Sequence, residues 1–190
     1  MGSVRAGLFD LHGWCRPLAR GTINMDIKTA LIEQNRAALA MLADCVRGCP
    51  DDLWTAGEQP WRAYWRIAFH AAYFAHLYLG QSPSALQPWP DCPPTYQSIW
   101  SDVEPYELPV DIDPITPAST LDYIAFIDAL VAPTVDALDL DSDETGFPWY
   151  PDMSKLSHEL MSLRHLQGHI GQLSELLMAG GIDTDWIGKP

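Results

Sequence analysis

Residues 60–80 read PWRAYWRIAFHAAYFAHLYLG, and this stretch decides the expected fold. Proline is tolerated in the first turn of a helix and glycine is favoured at its end, so these boundaries predict one helix over 60–80. Aromatic side chains lie on several sides of that helix: Trp61, Tyr64, Trp65, Phe69, Tyr73, Phe74 and Tyr78. A helix that is apolar nearly all round is mostly buried. We therefore expect this segment to form an inner helix of a helical core.

Two other segments with helical periodicity lie near the ends of the chain. Residues 25–48 place apolar side chains at the i, i+3, i+4 spacing of an amphipathic helix, and Gly48 and Pro50 mark its end. Residues 152–179 form a long helical pattern that is closed by the pair Gly180–Gly181. These segments are the predicted first and fourth helices.

A third helix is expected after a long connection that is rich in proline. Nine prolines fall within residues 81–118, a density that no continuous helix or central strand tolerates. Ser119 then opens the helix, with Asp122 at the capping-box distance, and Pro133 is expected to kink or divide it before it ends near Leu140. Trp89 and Trp100 suggest that the connection packs onto the helices.

The expected fold class is all-α. No segment shows convincing strand alternation. Four substantial helices with one long crossover between the second and third predict a four-helix bundle. We divide the chain into an N-terminal extension, residues 1–24, and a bundle domain, residues 25–190.

Length and composition narrow the function classes. The chain has 190 residues, enough for one domain with a proper core. Its formal net charge of −14 disfavours binding to nucleic acid or to anionic lipid. The longest lightly charged stretch, 67–80, is shorter than a membrane span and contains His70 and His76, so no transmembrane helix is expected. Charged residues also interrupt any secretory signal in the first 24 residues, which indicates a cytoplasmic protein.

The sequence RHLQGHIGQ, residues 164–172, carries the clearest candidate for chemistry. His165 and His169 are four residues apart, so both imidazoles lie on nearly the same helix face and could bind one ion. His70, on the buried second helix, is the best candidate for a third ligand. The alternative is that all three histidines make ordinary hydrogen bonds. Leu166 occupies the position where a zincin motif requires glutamate, so no metalloprotease is implied.

Other residues near these histidines are candidates for substrate contact. Tyr73 and Phe74 follow His70 by one turn, and Gln172 follows His169 by one turn. His158 precedes His165 by two turns, about 10 Å along the axis, which is too far for it to ligate the same ion. For each of these four residues a purely structural role in the core or at its rim is the alternative. His76 is expected to face elsewhere.

Small residues in the fourth helix predict a pocket between helices. Gly168 and Gly171 would let another helix approach closely. No glutamate lies inside the histidine motif, and the nearby Glu159 and Glu175 could face solvent, so no general base is marked.

The ordered motifs of this chain resemble those of the DinB-like superfamily, which are metal-binding four-helix-bundle proteins related to bacterial thiol S-transferases and mycothiol-dependent isomerases. The resemblance covers about residues 25–188. It rests on Trp61, His70, the proline-rich crossover, the H-x-x-x-H-x-G-Q run at 165–172, and the closing Gly181 and Trp186. The chain departs from many relatives at Ile170, where they carry a basic residue.

The resemblance implies a function and a set of ligands. It implies that His70, His165 and His169 bind a divalent transition metal such as Zn, Ni or Fe, and that the chain could form a homodimer. Three neutral histidines leave positions open for water or substrate, as in catalytic zinc sites. The expected activity is transfer of a small thiol to a small electrophile. The alternatives are a metal-dependent hydrolase, a non-catalytic metal- or small-molecule-binding stress protein, and a structural bundle without metal.

Overall fold

The computed structural model describes residues 26–100 and 108–189. Within those ranges the chain is helical and has no strand, so the all-α prediction is confirmed. The α-helices are α1 (Ile27–Gly48), α2 (Asp51–Trp54), α3 (Tyr64–Leu79), α4 (Pro117–Ala137) and α5 (Lys155–Ala179). Short 3-10 turns span Pro60–Arg62, Pro83–Ala85 and Pro94–Trp100. The predicted extension, residues 1–24, lies outside the described residues.

The core lies between the four long helices. Helices α1 and α3 each pack against both α4 and α5. Fourteen of the sixteen residues of α3 are buried, as its apolar circumference predicts. The two that are not fully buried are Ile67 and His70. An imidazole therefore lies at one of the few places where this helix reaches an open space.

Each of the four long helices begins at another residue than the sequence predicts, and two of these differences, in α3 and α4, have a clear local cause. Ala63 has an extended backbone (ψ 139°), so Pro60–Arg62 forms a separate turn and α3 begins only at Tyr64. The side chain of Thr116 accepts a hydrogen bond from the backbone N–H of Ser119, which makes Thr116, and not Ser119, the cap of α4. Both differences come from local turn chemistry that helical periodicity does not reveal.

Two further features concern the course of α4 and the start of α5. Helix α4 continues through Pro133 to Ala137, so the proline does not divide it. Helix α5 begins at Lys155 after the cap Ser154, whose side chain accepts from the backbone N–H of Ser157.

The described part of the connection between α3 and α4 packs onto the helices. Trp89 is buried and stacks on Tyr123 of α4 with ring centroids 4.8 Å apart. The Tyr96 hydroxyl donates to the carbonyl of Asp113, and the Trp54 indole N–H donates to the carbonyl of Ile115. The Trp100 side chain is not among the described groups.

Within residues 26–100 and 108–189, one helix is long and apolar enough to cross a membrane by length and composition alone. It is α4, whose most apolar window of 18 residues has a mean hydropathy of 1.3 and is 33% buried. The core helices of soluble proteins also reach this length and hydropathy. Helix α4 packs on α1 and α3 through side chains with almost no exposure: Tyr123, Ile127, Val131 and Val135.

Candidate metal centre

Three histidines meet where α3 contacts α5. His70 comes from α3, and His165 and His169 come from consecutive turns of α5. One ring nitrogen from each histidine can be chosen so that all three nitrogens lie within 4.8 Å of one another. The Nε2 atoms of His165 and His169 are 3.0 Å apart, and those of His165 and His70 are 3.4 Å apart. The structure thus brings together the three residues that the sequence singles out, close enough to hold one metal ion.

The surroundings keep two of these imidazoles neutral. Burial, followed by the proximity of His169 and His165, lowers the pKa of His70 to about 3. Burial, followed by the proximity of His169, lowers the pKa of His165 to about 4. At neutral pH both rings therefore have a lone pair for a cation, which is the form that metal ligation requires.

Gln172 fixes the orientation of the third imidazole. The Nδ1 atom of His169 lies 2.9 Å from the amide oxygen of Gln172, which can only accept a hydrogen bond. Nδ1 therefore carries the proton in this contact, and the Nε2 lone pair of His169 faces His165. Metal-binding histidines in proteins usually have such a partner on the other ring nitrogen.

An open cavity of about 1260 Å³ adjoins the histidines. Its wall includes His70 and His169 together with Tyr73, Phe74 and Gln172. The Phe74 ring packs against both His70 and His165, with centroids 4.5 and 5.5 Å away. Three of the four residues predicted to contact substrate therefore line the cavity, although Tyr73 and Phe74 are also buried core residues.

The fourth predicted substrate residue, His158, does not line this cavity. It is fully buried and stacks on Phe147 at 4.5 Å, with Tyr78 at 5.0 Å. Its Nδ1 lies 3.6 Å from a carboxylate oxygen of Glu159. The core role, which the sequence left open as the alternative, fits this position. Glu159 does not face solvent either, because it is 2% exposed and forms an ion pair with Lys155.

The expectation for the two glycines of α5 is wrong. A Cβ atom added at Gly168 or Gly171 would meet nothing within 4 Å, so no helix packs closely against either position. The neighbouring Ile170 is buried in the core, which explains an apolar residue there. His76 is also a core residue, and its Nδ1 lies 2.9 Å from the hydroxyl of Tyr123.

Four charged residues line the cavity: Glu58, Arg62, Arg66 and Glu175. Sequence reasoning singled out only Glu175, and it did so without assigning it to a cavity. The spacing of Arg62, Arg66 and His70, four residues apart each time, was a signal that these side chains share one side of the chain. Arg66 donates hydrogen bonds to the carbonyls of Leu108, Pro109 and Val110, which holds the end of the connection against the cavity.

Comparisons of this chain with protein-family models, with curated proteins and with solved structures find no match. The resemblance to the DinB-like superfamily stays a prediction that rests on the residues of the motif.

Proposed function

We propose that this chain is a DinB-like protein in which His70, His165 and His169 hold a divalent transition metal, with Zn, Ni and Fe as candidates. The observation that carries the proposal is the convergence of three imidazole nitrogens within 4.8 Å, at the wall of an open cavity. Imidazole suits these ions, and a site with three protein ligands has room for a further one.

The packing of the long helices supports the finer fold assignment. Helices α1 and α3 each contact α4 and α5, which is the pattern expected of a four-helix bundle. The connection from α3 to α4 is then the long crossover of that bundle. In such folds, metal sites are built from side chains on facing helices, as are His70 of α3 and the histidine pair of α5.

The proposed reaction is transfer of a small thiol to a small electrophile. A bound divalent ion would supply positive charge that lowers the pKa of a coordinated thiol. The thiol gives up its proton and its sulfur forms a bond to an electrophilic carbon. Either that carbon's leaving group departs with its bonding electron pair, or, in an addition, the carbon's π bond breaks and its electron pair takes up a proton. Gln172 holds the imidazole of His169 in the ligating tautomer, while Tyr73 and Phe74 give the cavity an apolar wall. Glu175, also in that wall, is an acceptor for the proton.

The test is turnover by metal-loaded protein across a panel of cellular thiols and electrophiles. Conjugation that is lost in His165→Ala and kept in Arg164→Ala supports the proposal, because Arg164 is exposed and outside the cavity wall. Absence of conjugation in the wild type with every metal tried would remove the thiol chemistry. Stoichiometric metal without any turnover would instead favour the non-catalytic metal- or small-molecule-binding stress protein.

A metal-dependent hydrolase is the second candidate. Two carboxylates, Glu58 and Glu175, line the same cavity as His70 and His169, so a group able to take a proton from water is available. Ester or amide turnover without any thiol would distinguish this reaction.

Two further parts of the proposal concern the protein's surroundings. A homodimer is supported by exposed apolar side chains on α5, Leu160 (55% exposed) and Met178 (54%). Light scattering on the purified chain tests it. A cytoplasmic location without nucleic-acid or membrane partners is proposed from the charge of −14.

A further inference from the structure

The two arginines of the cavity wall differ in the hydrogen bonds that they make within the protein. Arg66 is only 7% exposed, and its guanidinium already donates to three backbone carbonyls. Those bonds fix the chain around Val110 and leave little donor capacity for a ligand. Arg66 is therefore a structural part of the wall.

Arg62, unlike Arg66, makes no such hydrogen bonds to the residues that the structure describes. Its side chain is exposed, and its guanidinium has no ion pair or side-chain hydrogen bond to any other residue that the structure describes. It still lines the cavity with His70. Guanidinium groups present a planar fork that matches a carboxylate, so Arg62 offers a free recognition group for an anion.

An apolar rim accompanies Arg62. Trp61, Val110 and Leu176 all line the cavity and remain 62%, 64% and 36% exposed. They are three of the seven large apolar side chains that stay exposed in the described ranges. The exposed ring of Trp61 could pack on the apolar body of a ligand, and the neighbouring Arg62 could bind an acidic group at the ligand's end.

Charged groups of both signs line the cavity. Two arginines, Arg62 and Arg66, and two glutamates, Glu58 and Glu175, belong to its wall. The three histidines, when neutral, would leave the charge of a divalent ion uncompensated. The cavity would then have one positive point at the histidines and another at Arg62, with Glu58 and Glu175 as its negative groups.

We infer that the ligand of this cavity is a small organic acid whose carboxylate binds Arg62, whose body packs on Trp61, Val110 and Leu176, and whose other end faces the histidines. The inference rests on the proposed metal centre, and it adds the class of molecule that the centre accepts. Arg62 is then a specificity-determining residue and Arg66 a structural one.

The test compares two thiols that differ only at the end remote from sulfur. Mercaptopropionate and mercaptopropanol are titrated into the full-length protein loaded with cobalt(II), and binding is followed by the thiolate-to-cobalt charge-transfer absorption. An exposed arginine–carboxylate contact predicts about fivefold tighter binding of mercaptopropionate to the wild type. Arg62→Gln should bind both thiols equally. Arg47→Gln, which removes the same charge from an exposed arginine paired with Asp44 outside the cavity, should keep the preference.

Each other outcome overturns part of the account. Equal binding of both thiols to the wild type, or a preference that survives in Arg62→Gln, overturns the role of Arg62 while the metal centre stands. Absence of cobalt, or of a charge-transfer band with either thiol in any variant, overturns the proposed function and this inference together.

Discussion

Helix α5 carries two polar clusters, and they differ in what satisfies their polar atoms. The open cluster consists of His165 and His169 with His70 of α3, all partly exposed beside the cavity. The closed cluster consists of Lys155, Glu159 and His158, which are 0%, 2% and 0% exposed. The Lys155 ammonium lies 2.9 Å from a carboxylate oxygen of Glu159 and donates to the carbonyl of Gly80 at the end of α3.

The difference between the two clusters agrees with a structural role for the closed cluster and with the proposed metal-binding role for the open one. In the closed cluster a cation and an anion satisfy each other, and the contact to Gly80 ties α3 to α5. In the open cluster the Nε2 atom of His165 lies 3.0 Å from that of His169 and 3.4 Å from that of His70, and the group contains no carboxylate. This arrangement can accept a cation, whereas in the closed cluster the ammonium and the carboxylate already pair with each other. Both ring nitrogens of His158 lack a hydrogen-bond partner within the described residues.

The largest expected effect comes from breaking the closed cluster. Lys155→Met leaves the Glu159 carboxylate buried without its partner, which typically costs about 3–5 kcal/mol of unfolding free energy. Urea unfolding at pH 7 measures it. Lys189→Met is the matched control, because Lys189 pairs with Glu33 at the surface, where such pairs contribute less than about 1 kcal/mol.

Two results would contradict the structural role of this pair. One is an equal loss in both lysine variants. The other is a Lys155→Met, Glu159→Leu double variant as unstable as Lys155→Met, because replacing both partners should recover much of the loss.

The second-largest expected effect is stabilisation of the folded protein by a metal ion bound at the open cluster. A metal that binds only the folded state stabilises it by about 2.7 kcal/mol at a free concentration one hundred times the dissociation constant. Zinc should therefore raise the unfolding free energy of the wild type and of Lys155→Met, but not of His165→Ala. Stabilisation of His165→Ala by zinc would show that the metal binds elsewhere.

A buried histidine outside both clusters, His76, should make the unfolding free energy depend on pH. Burial lowers the pKa of His76 to about 4 from an ordinary value of 6.5. The unfolded state then binds more protons between these values, so stability is fully present above pH 6.5 and falls as the pH decreases towards 4. From pH 7.5 to pH 5 this group should remove about 2 kcal/mol.

The variant His76→Gln isolates this contribution. Metal-free wild type and variant are unfolded in urea at both pH values, and the variant should lose less stability on acidification. Identical losses would show that His76 is not held neutral by the fold.

The smallest expected effect is a loss of metal affinity when the hydrogen-bond partner of His169 is removed. Gln172→Ala removes the acceptor at Nδ1 of His169, and such partners typically change metal affinity by about 10–100-fold. We expect about tenfold weaker zinc binding in a competition titration, because Gln172 is exposed. Gln167→Ala, on the same helix but outside the cavity wall, is the control and should bind as the wild type does. An unchanged affinity for Gln172→Ala would remove its positioning role.

Helical periodicity predicts much of the fold because the spacing of apolar residues marks the helix faces that become buried. The aromatic circumference of 60–80 predicts an inner helix, and α3 is buried over fourteen of its sixteen residues. The starts of α3 and α4 differ from prediction because they depend on the extended backbone of Ala63 and on the side chain of Thr116. Such local capping choices are weakly encoded in apolar spacing.

The candidate site was only partly predictable. The i, i+4 spacing of His165 and His169 places both on one face, and the structure brings His70 of α3, the predicted third ligand, close to them. Gly168 and Gly171 were misread, because small residues permit close helix packing without requiring it. Glu159 could not be placed from sequence, since only the packed structure shows that it is enclosed with Lys155.

Elemental analysis decides whether the open cluster binds a metal ion. Protein purified without an affinity tag or chelator is compared with the triple variant His70→Ala, His165→Ala, His169→Ala, each reconstituted with Zn, Ni or Fe. The account predicts close to one equivalent of metal in the wild type and background levels in the variant. Background levels in both proteins with all three metals, or equal metal in both, would contradict it.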